Sequence, residues 1–264
     1  MTDLEWQAFS LFRTDFKAAC REWLKRCGYE YAAPDEALSA AQKSVGQGTL
    51  HLLQQAAAAE NKTPVYPNET PIVYNHSLDK VQASDRIKLI IISDNPGKNE
   101  QLHKNQRYLV GQAGKVAESF FRRNPELNID FRREAIILNK TPVHTAKTKE
   151  LNYLLKHGGK QFLSLFEETQ KWLASRTAAL QRVLGCPLWL VGYGELRKKS
   201  LFTAYADELR QQYGGKADAP VYVFQHFSMN CFAIDFRKLN DEHKSTEENL
   251  RAIGLLHRKE ILGW

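Results

Sequence analysis

No apolar run in this 264-residue chain is long enough to span a bilayer; the longest, such as 87–92, already contains a lysine. A membrane protein is not expected. The opening residues, MTDLEWQAFS, carry acids and no apolar signal core, so no secretory leader is expected, and the expected location is cytoplasmic or nucleoid-associated. Cysteine is scarce: four residues, at 20, 27, 186 and 231, with no Cys-x-x-Cys pair. That pattern reads as free thiols in a reducing compartment, with no metal, no iron–sulfur cluster and no other cofactor. A GxSxG elbow is missing, which argues against the common esterases. Gly111, Gly114 and Lys115 do not complete a GxxxxGK[ST] phosphate loop, so a nucleotide-binding reading is discounted. There is no internal repeat.

Hydrophobic residues make up 43% of the chain, enough for a sizeable core. The net charge is +7, and the pI of about 9.1 favours a polyanionic partner, because neutralised phosphates release counterions. Apolar residues at helical spacing predict helices over 3–27 and 34–60, followed by an irregular connection at 61–86 rich in Pro, Asn and Asp. From residue 87 the pattern changes. IKLIIIS, AIIL (135–138), PLWLVGY (187–193) and PVYVFQH (220–226) read as strands. Between and after them lie helical patterns at 112–123, 148–184 with a break at Gly158–Gly159, 195–213 and 245–262. Strands alternating with helices predict an α/β fold: a central, mainly parallel four-stranded sheet in a three-layer αβα arrangement. The chain reads as one domain, 1–264, with an N-terminal helical extension, 1–65, packed on the core.

In such sheets ligands bind outside the carboxyl ends of the strands. The polar residues there are Ser93-Asp94-Asn95-Pro96-Gly97, Asn139, Gly192-Tyr193-Gly194 and Gln225-His226. Asp94, Asn95, Asn139 and His226 are therefore expected on one rim.

At this rim the sequence resembles the uracil-DNA glycosylase superfamily. ISDNPGKNEQLHKNQRYLVGQAGKV is similar to that superfamily's first motif, an acidic residue or Asn beside Pro-Gly followed by a VGQAG-like segment. TPIVYNHSLDKVQASDRIKLIII has the layout of the lead-in of its iron–sulfur (family 4) members. AIILNKTPVH resembles the strand ending in the base-reading Asn, and FQHFSMN a degenerate form of the second motif, usually His-Pro-Ser. The resemblance covers roughly residues 70–240. Ser93 stands where most relatives have Gly, Phe227 stands where Pro is usual, and the cysteines of the iron–sulfur members are missing.

The resemblance implies a monofunctional DNA glycosylase that hydrolyses the N-glycosidic bond of a flipped-out deaminated base, uracil first, with uracil-containing DNA as partner and a monomeric chain. Base removal passes through a cation-like sugar and an anionic leaving base, so stabilisation of charge does most of the work. Asn95 takes the position of a water-orienting Asn, with Asp94 as its rival. Pro96 and Gly97 would let the backbone approach the ligand. Tyr108 or Leu109 stands where relatives place an aromatic under the base. Asn139 would read O4 and N3–H of uracil through its amide. His226 would donate to O2 as charge builds there. Ser228, Met229 and Asn230, with Arg237, Lys238 and Lys198 (flanked by Arg197 and Lys199), are the expected DNA contacts, Met229 or Phe232 filling the gap left by the flipped nucleotide. No Lys is expected as a Schiff-base nucleophile. Two readings stay open beside this one: a DNA-binding relative without turnover, and a glycosylase for hypoxanthine or xanthine.

Overall fold

A computed structural model describes residues 1–28, 49–216 and 218–264. In chain order the α-helices and the strands of the described residues are α1 (Asp3–Arg26), α2 (Thr49–Glu60), β1 (Leu89–Ser93), α3 (Gln112–Arg123), β2 (Ala135–Asn139), α4 (Leu151–His157), α5 (Gly159–Leu184), β3 (Leu188–Val191), α6 (Thr203–Tyr213), β4 (Val221–Phe224), α7 (Cys231–Leu239) and α8 (Thr246–Leu262). The four strands form one sheet, order β2-β1-β3-β4, with every pair parallel. The chain leaves β1 for one side and later returns to the other. The crevice between the carboxyl ends of β1 and β3 is therefore the switch point at which α/β sheets bind ligands.

The strands are buried along nearly their whole length, which explains their continuous apolar sequence. Alternate residues feed two cores. On face A, Ile90, Ile92, Ile136, Leu138, Leu188, Leu190, Val221 and Val223 pack with α1, α4, α5 and α6. On face B, Leu89, Ile91, Ile137, Trp189, Val191 and Phe224 pack with α3, α7 and α8. Helices thus cover both faces of the sheet.

α1 begins with a capping box, Thr2 with Glu5, and buries Phe9, Phe12, Phe16 and Trp23 in the face-A core. Phe12, Phe16 and Trp23 surround Trp172 of α5, and Trp23 Nε1 donates to Glu168 at 2.9 Å. The expected helix 34–60 is seen from Thr49; residues 29–48 lie outside the described residues. The expected break in 148–184 is present: Gly158 separates α4 from α5, and Gly159, at φ 66°, opens α5. The connection 61–86 is irregular, but it runs through the interior: Ile72, Val73 and Asn75 are inaccessible to solvent, and Ile72 bridges Val143.

Two expectations need correction. The helix read over 195–213 starts only at Thr203. Leu196, which ends a 3-10 turn, and Leu201 and Phe202 are instead the buried anchors of a connection that turns at Lys199 with φ 65°. The second concerns the segment 228–232, expected to meet DNA with Met229 or Phe232 filling the gap left by the flipped nucleotide. From Cys231 it is helix α7, and Phe232 is buried among Phe120, Phe224 and Phe227, so it is unavailable as a wedge.

Candidate active site

All four strands end on one rim, and alternation along each strand decides where each side chain goes. Continuing from Leu89 and Ile91, Ser93 leaves β1 on face B; continuing from Ala135 and Ile137, Asn139 does the same. The two are cross-strand partners. His226 lies two positions beyond Phe224, also a face-B residue. Asp94 and Lys140 have the opposite parity, and Lys140 Nζ lies 5.3 Å from the ring centre of Phe202 in the face-A core. The rim residues divide into two groups.

On the face-A side, Lys140 is fully buried. Its Nζ donates to Asp94 Oδ1 at 2.6 Å, to the Val191 carbonyl at 2.7 Å and to the Gly192 carbonyl at 3.4 Å. Burial pulls the ammonium below the usual lysine range, and the Asp94 charge pulls it back. Gly192 sits at φ 84°, and a Cβ there would fall 2.5 Å from Asp94 Oδ1, so this close approach requires glycine. Asp94, the expected rival to Asn95, is therefore the counter-ion of a buried lysine. Lys140 had no local signal, since a lysine after a strand ordinarily reads as solvated. Sealed and paired, its amine is closed to a carbonyl substrate.

On the face-B side, the Ser228 N–H donates to His226 Nδ1 at 3.0 Å. In the neutral ring that places the proton on Nε2, which donates to Ser93 Oγ at 2.9 Å. Burial lowers the imidazole's proton affinity, with Asp94 opposing and Lys140 reinforcing. Beside Ser93, the Asn139 Nδ2 is sealed from solvent and has no hydrogen-bond partner. A buried amide donor left unpaired costs about 1–3 kcal/mol, so this position is built against stability.

Asn95 follows the strand and turns toward the segment after β2. Its Nδ2 donates to Thr145 Oγ1 at 2.9 Å and lies 3.3 Å from the Val143 carbonyl. Among the described residues nothing donates to its Oδ1, which leaves that oxygen for a solvent molecule. Pro96 is buried, and its carbonyl accepts from His144 Nδ1 at 2.8 Å and Thr145 N at 3.2 Å. Because Nδ1 carries that proton, His144 Nε2 accepts from the Tyr66 hydroxyl at 2.9 Å. Gly97 donates its N–H to Glu100 at 2.9 Å, and a Cβ there would meet nothing within 4 Å, so no crowding requires this glycine. His144, Tyr66 and Glu100 fix the first motif and carried no sequence signal, because each acts on a segment distant in the chain or by burial.

Tyr108 and Leu109 lie in the face-B core, about 1% and 3% exposed. The Tyr108 hydroxyl bonds the Val73 carbonyl at 2.5 Å. Its ring is a wall of the core, which corrects the expectation of an open stacking platform at either position. Leu109 is left-handed, φ 51°, and its carbonyl crowds Gly114, where a Cβ would come within 1.5 Å. That contact explains the second glycine of VGQAG.

The expected DNA contacts are on the surface. Met229, 84% exposed, and Asn230 form a tip with both residues left-handed, φ 52° and 59°. Such strain in a residue other than glycine is concentrated at functional positions. Ser228 holds His226 and starts this tip. Arg237 and Lys238 are exposed on α7, and Lys198 is exposed in the loop after β3. Among the described residues no group of three or more His, Cys, Asp or Glu side chains is placed to hold a metal, and no helix is long and apolar enough to cross a membrane.

Comparison with protein-family models, with curated proteins and with solved structures gives no match for this chain.

Proposed function

We propose that this protein is a DNA glycosylase of the uracil-DNA glycosylase type, with the three-layer arrangement of that superfamily, acting on uracil in DNA. The observation that carries the reading is the buried, unpartnered Asn139 amide on the same face and rim as His226, whose Nδ1 accepts from the Ser228 N–H and so leaves Nε2 as the donor of the neutral ring. Uracil offers acceptor, donor and acceptor at O4, N3–H and O2. Asn139 supplies the complement to the first two, Nδ2 donating to O4 and Oδ1 accepting from N3–H. Cytosine would set its amino group against Nδ2 and leave both unpaired, which discriminates strongly in a buried site.

Chemistry needs few groups. As the C1′–N1 bond breaks, its electron pair moves onto the base, and His226 Nε2–H stabilises the charge on O2. Asn95 Oδ1 orients a water for attack at C1′; the new C1′–O bond forms, and the water's proton leaves to neutralise the base anion. Support for Asn95 over Asp94 comes from the bonding: the amide nitrogen is tied to Thr145 while the Asp94 carboxylate is committed to Lys140. The exposed Met229 tip is suited to replace the extruded nucleotide, and Arg237, Lys238 and Lys198 to meet phosphates.

The test is incubation with a uracil-containing oligonucleotide, followed by alkali. Strand scission at the uracil position, with none at a cytosine control, is expected. Salt-sensitive DNA binding without scission would reject turnover and leave a binding protein.

A further inference from the structure

We propose that Ser93 is a second donor to the leaving base, completing with His226 a two-pronged oxyanion site; this rests on the glycosylase reading above. Ser93 ends β1 on face B, is about 3% exposed and is the cross-strand partner of Asn139. Its side chain therefore leaves the sheet on the same face and rim as the unpartnered Asn139 amide. β3 ends at Val191, level with Ser93, so the His226 imidazole beyond β4 reaches across the end of β3 to lie 2.9 Å from Ser93 Oγ.

The direction of that bond matters. Because the Ser228 N–H occupies His226 Nδ1, Nε2 is the donor and Ser93 Oγ the acceptor. The Ser93 O–H is then uncommitted: among the described residues no acceptor takes it. Two donor atoms 2.9 Å apart can share one oxygen at ordinary hydrogen-bond distance from each. When a base carbonyl enters, the His226 N–H turns from Ser93 to that oxygen, and the Ser93 O–H joins it. In the empty site Ser93 holds the imidazole in its donating orientation; in the transition state both donors meet the charge as it forms. Neither group transfers its proton. A glycine here would leave His226 alone on that oxygen.

The experiment compares Ser93→Ala with the native protein in single-turnover excision of uracil and of 5-fluorouracil from otherwise identical oligonucleotides. The fluorinated base is the more stable anion and needs less help to leave. Removing one donor of an oxyanion site slows reaction by about 10², and the expected result is a loss of that order for uracil with a clearly smaller loss for 5-fluorouracil. Equal losses for both bases would overturn the assignment and leave Ser93 a positioning residue for His226. Undiminished excision by Ser93→Ala would overturn any role. If the native protein releases neither base, the glycosylase reading itself falls, and this assignment with it. Ser93→Gly serves as a second variant where the alanine protein does not fold, with the same outcomes. The His226 ring is followed by ¹⁵N NMR in each variant. A proton remaining on Nε2 assigns the loss to the missing hydroxyl; a shift of that proton to Nδ1 overturns the assignment.

Discussion

Pro96 and Gly97 are held by two buried ionisable groups with opposite proton preferences, and this predicts a compensation visible only when one is removed. His144 donates to the Pro96 carbonyl and accepts from Tyr66, so it is bound as neutral imidazole; burial lowers its pKa from 6.5 to about 4. Glu100 accepts from the Gly97 N–H, and burial raises its pKa from 4.5 to about 7 against the pull of backbone N–H groups and Arg132. For His144 the unfolded chain binds a proton that the native state refuses, so its contribution is full above pH 6.5 and is lost as pH falls toward 4. For Glu100 the native state keeps a proton that the unfolded chain releases, so its contribution is full below pH 4.5 and is lost as pH rises through 7. Each shift corresponds to about 3 kcal/mol. Over the shared range the two slopes cancel in the native protein. Glu100→Gln, which keeps an acceptor for Gly97, unmasks the His144 slope and is destabilised by about 2 kcal/mol more near pH 5 than near pH 7. His144→Gln shows the reverse trend. Surface carboxylates add a slope common to both variants, so the readout is the difference between them. Urea unfolding followed by tryptophan fluorescence at four pH values measures it. Parallel stability curves for the two variants would refute the reasoning.

Three further outcomes follow from the geometry. Asp94→Asn leaves the Lys140 ammonium buried without its counter-ion and lowers stability by about 3–5 kcal/mol; urea midpoints check this, and a double variant with Lys140→Met recovers most of it. If Asp94 were the base instead, Asp94→Asn would abolish turnover and leave the midpoint in place. Gly114→Ala drives a Cβ into the Leu109 carbonyl and destabilises by about 3 kcal/mol or more, and an unchanged thermal midpoint would contradict the loop geometry. Met229→Ala changes stability by no more than about 0.5 kcal/mol because the side chain is exposed, yet excision from duplex DNA falls while excision from single strands is retained; equal effects on both substrates would remove the wedge.

The strands were legible because each is a short apolar run closed by polar or turn-forming residues, and because burial on both faces leaves polar residues only at the strand ends. The position of Asn139 and His226 at strand ends follows from that alone. What stayed hidden depends on partners far apart in the chain. Lys140 is buried only because Asp94 and two carbonyls near the end of β3 converge on it. His144 matters through the Pro96 carbonyl, 48 residues away. The helix over-read at 195–213 began too early because Leu201 and Phe202 keep helical spacing with Tyr205 and Leu209 but are held by tertiary burial, which periodicity does not distinguish from a helix. Phe232 was misjudged for a related reason: next to an exposed methionine, its burial depends on Phe120 and Phe227.

The division of the rim into two faces explains why adjacent residues of one motif have separate tasks. Ser93 and Asp94 are consecutive, and a β-strand sends consecutive side chains to opposite sides. Ser93 therefore joins Asn139 and His226, while Asp94 joins Lys140, itself the neighbour of Asn139. Replacing a buried ion pair by apolar residues is often neutral in stability, so net stabilisation does not account for Asp94–Lys140. Its distinctive effect is geometric. Lys140 on β2's extension binds Asp94 on β1's extension and the carbonyls of Val191 and Gly192 on β3, tying three strand ends together at the switch point. With those ends fixed, Ser93, Asn139 and the span to His226 are set to within a side chain's reach, as a site working by preorganised hydrogen bonds requires. A one-residue slip of β1 would put Asp94 among the donors on face B and leave Lys140 without its counter-ion, so the buried pair also guards the register on which the proposed base-reading face depends.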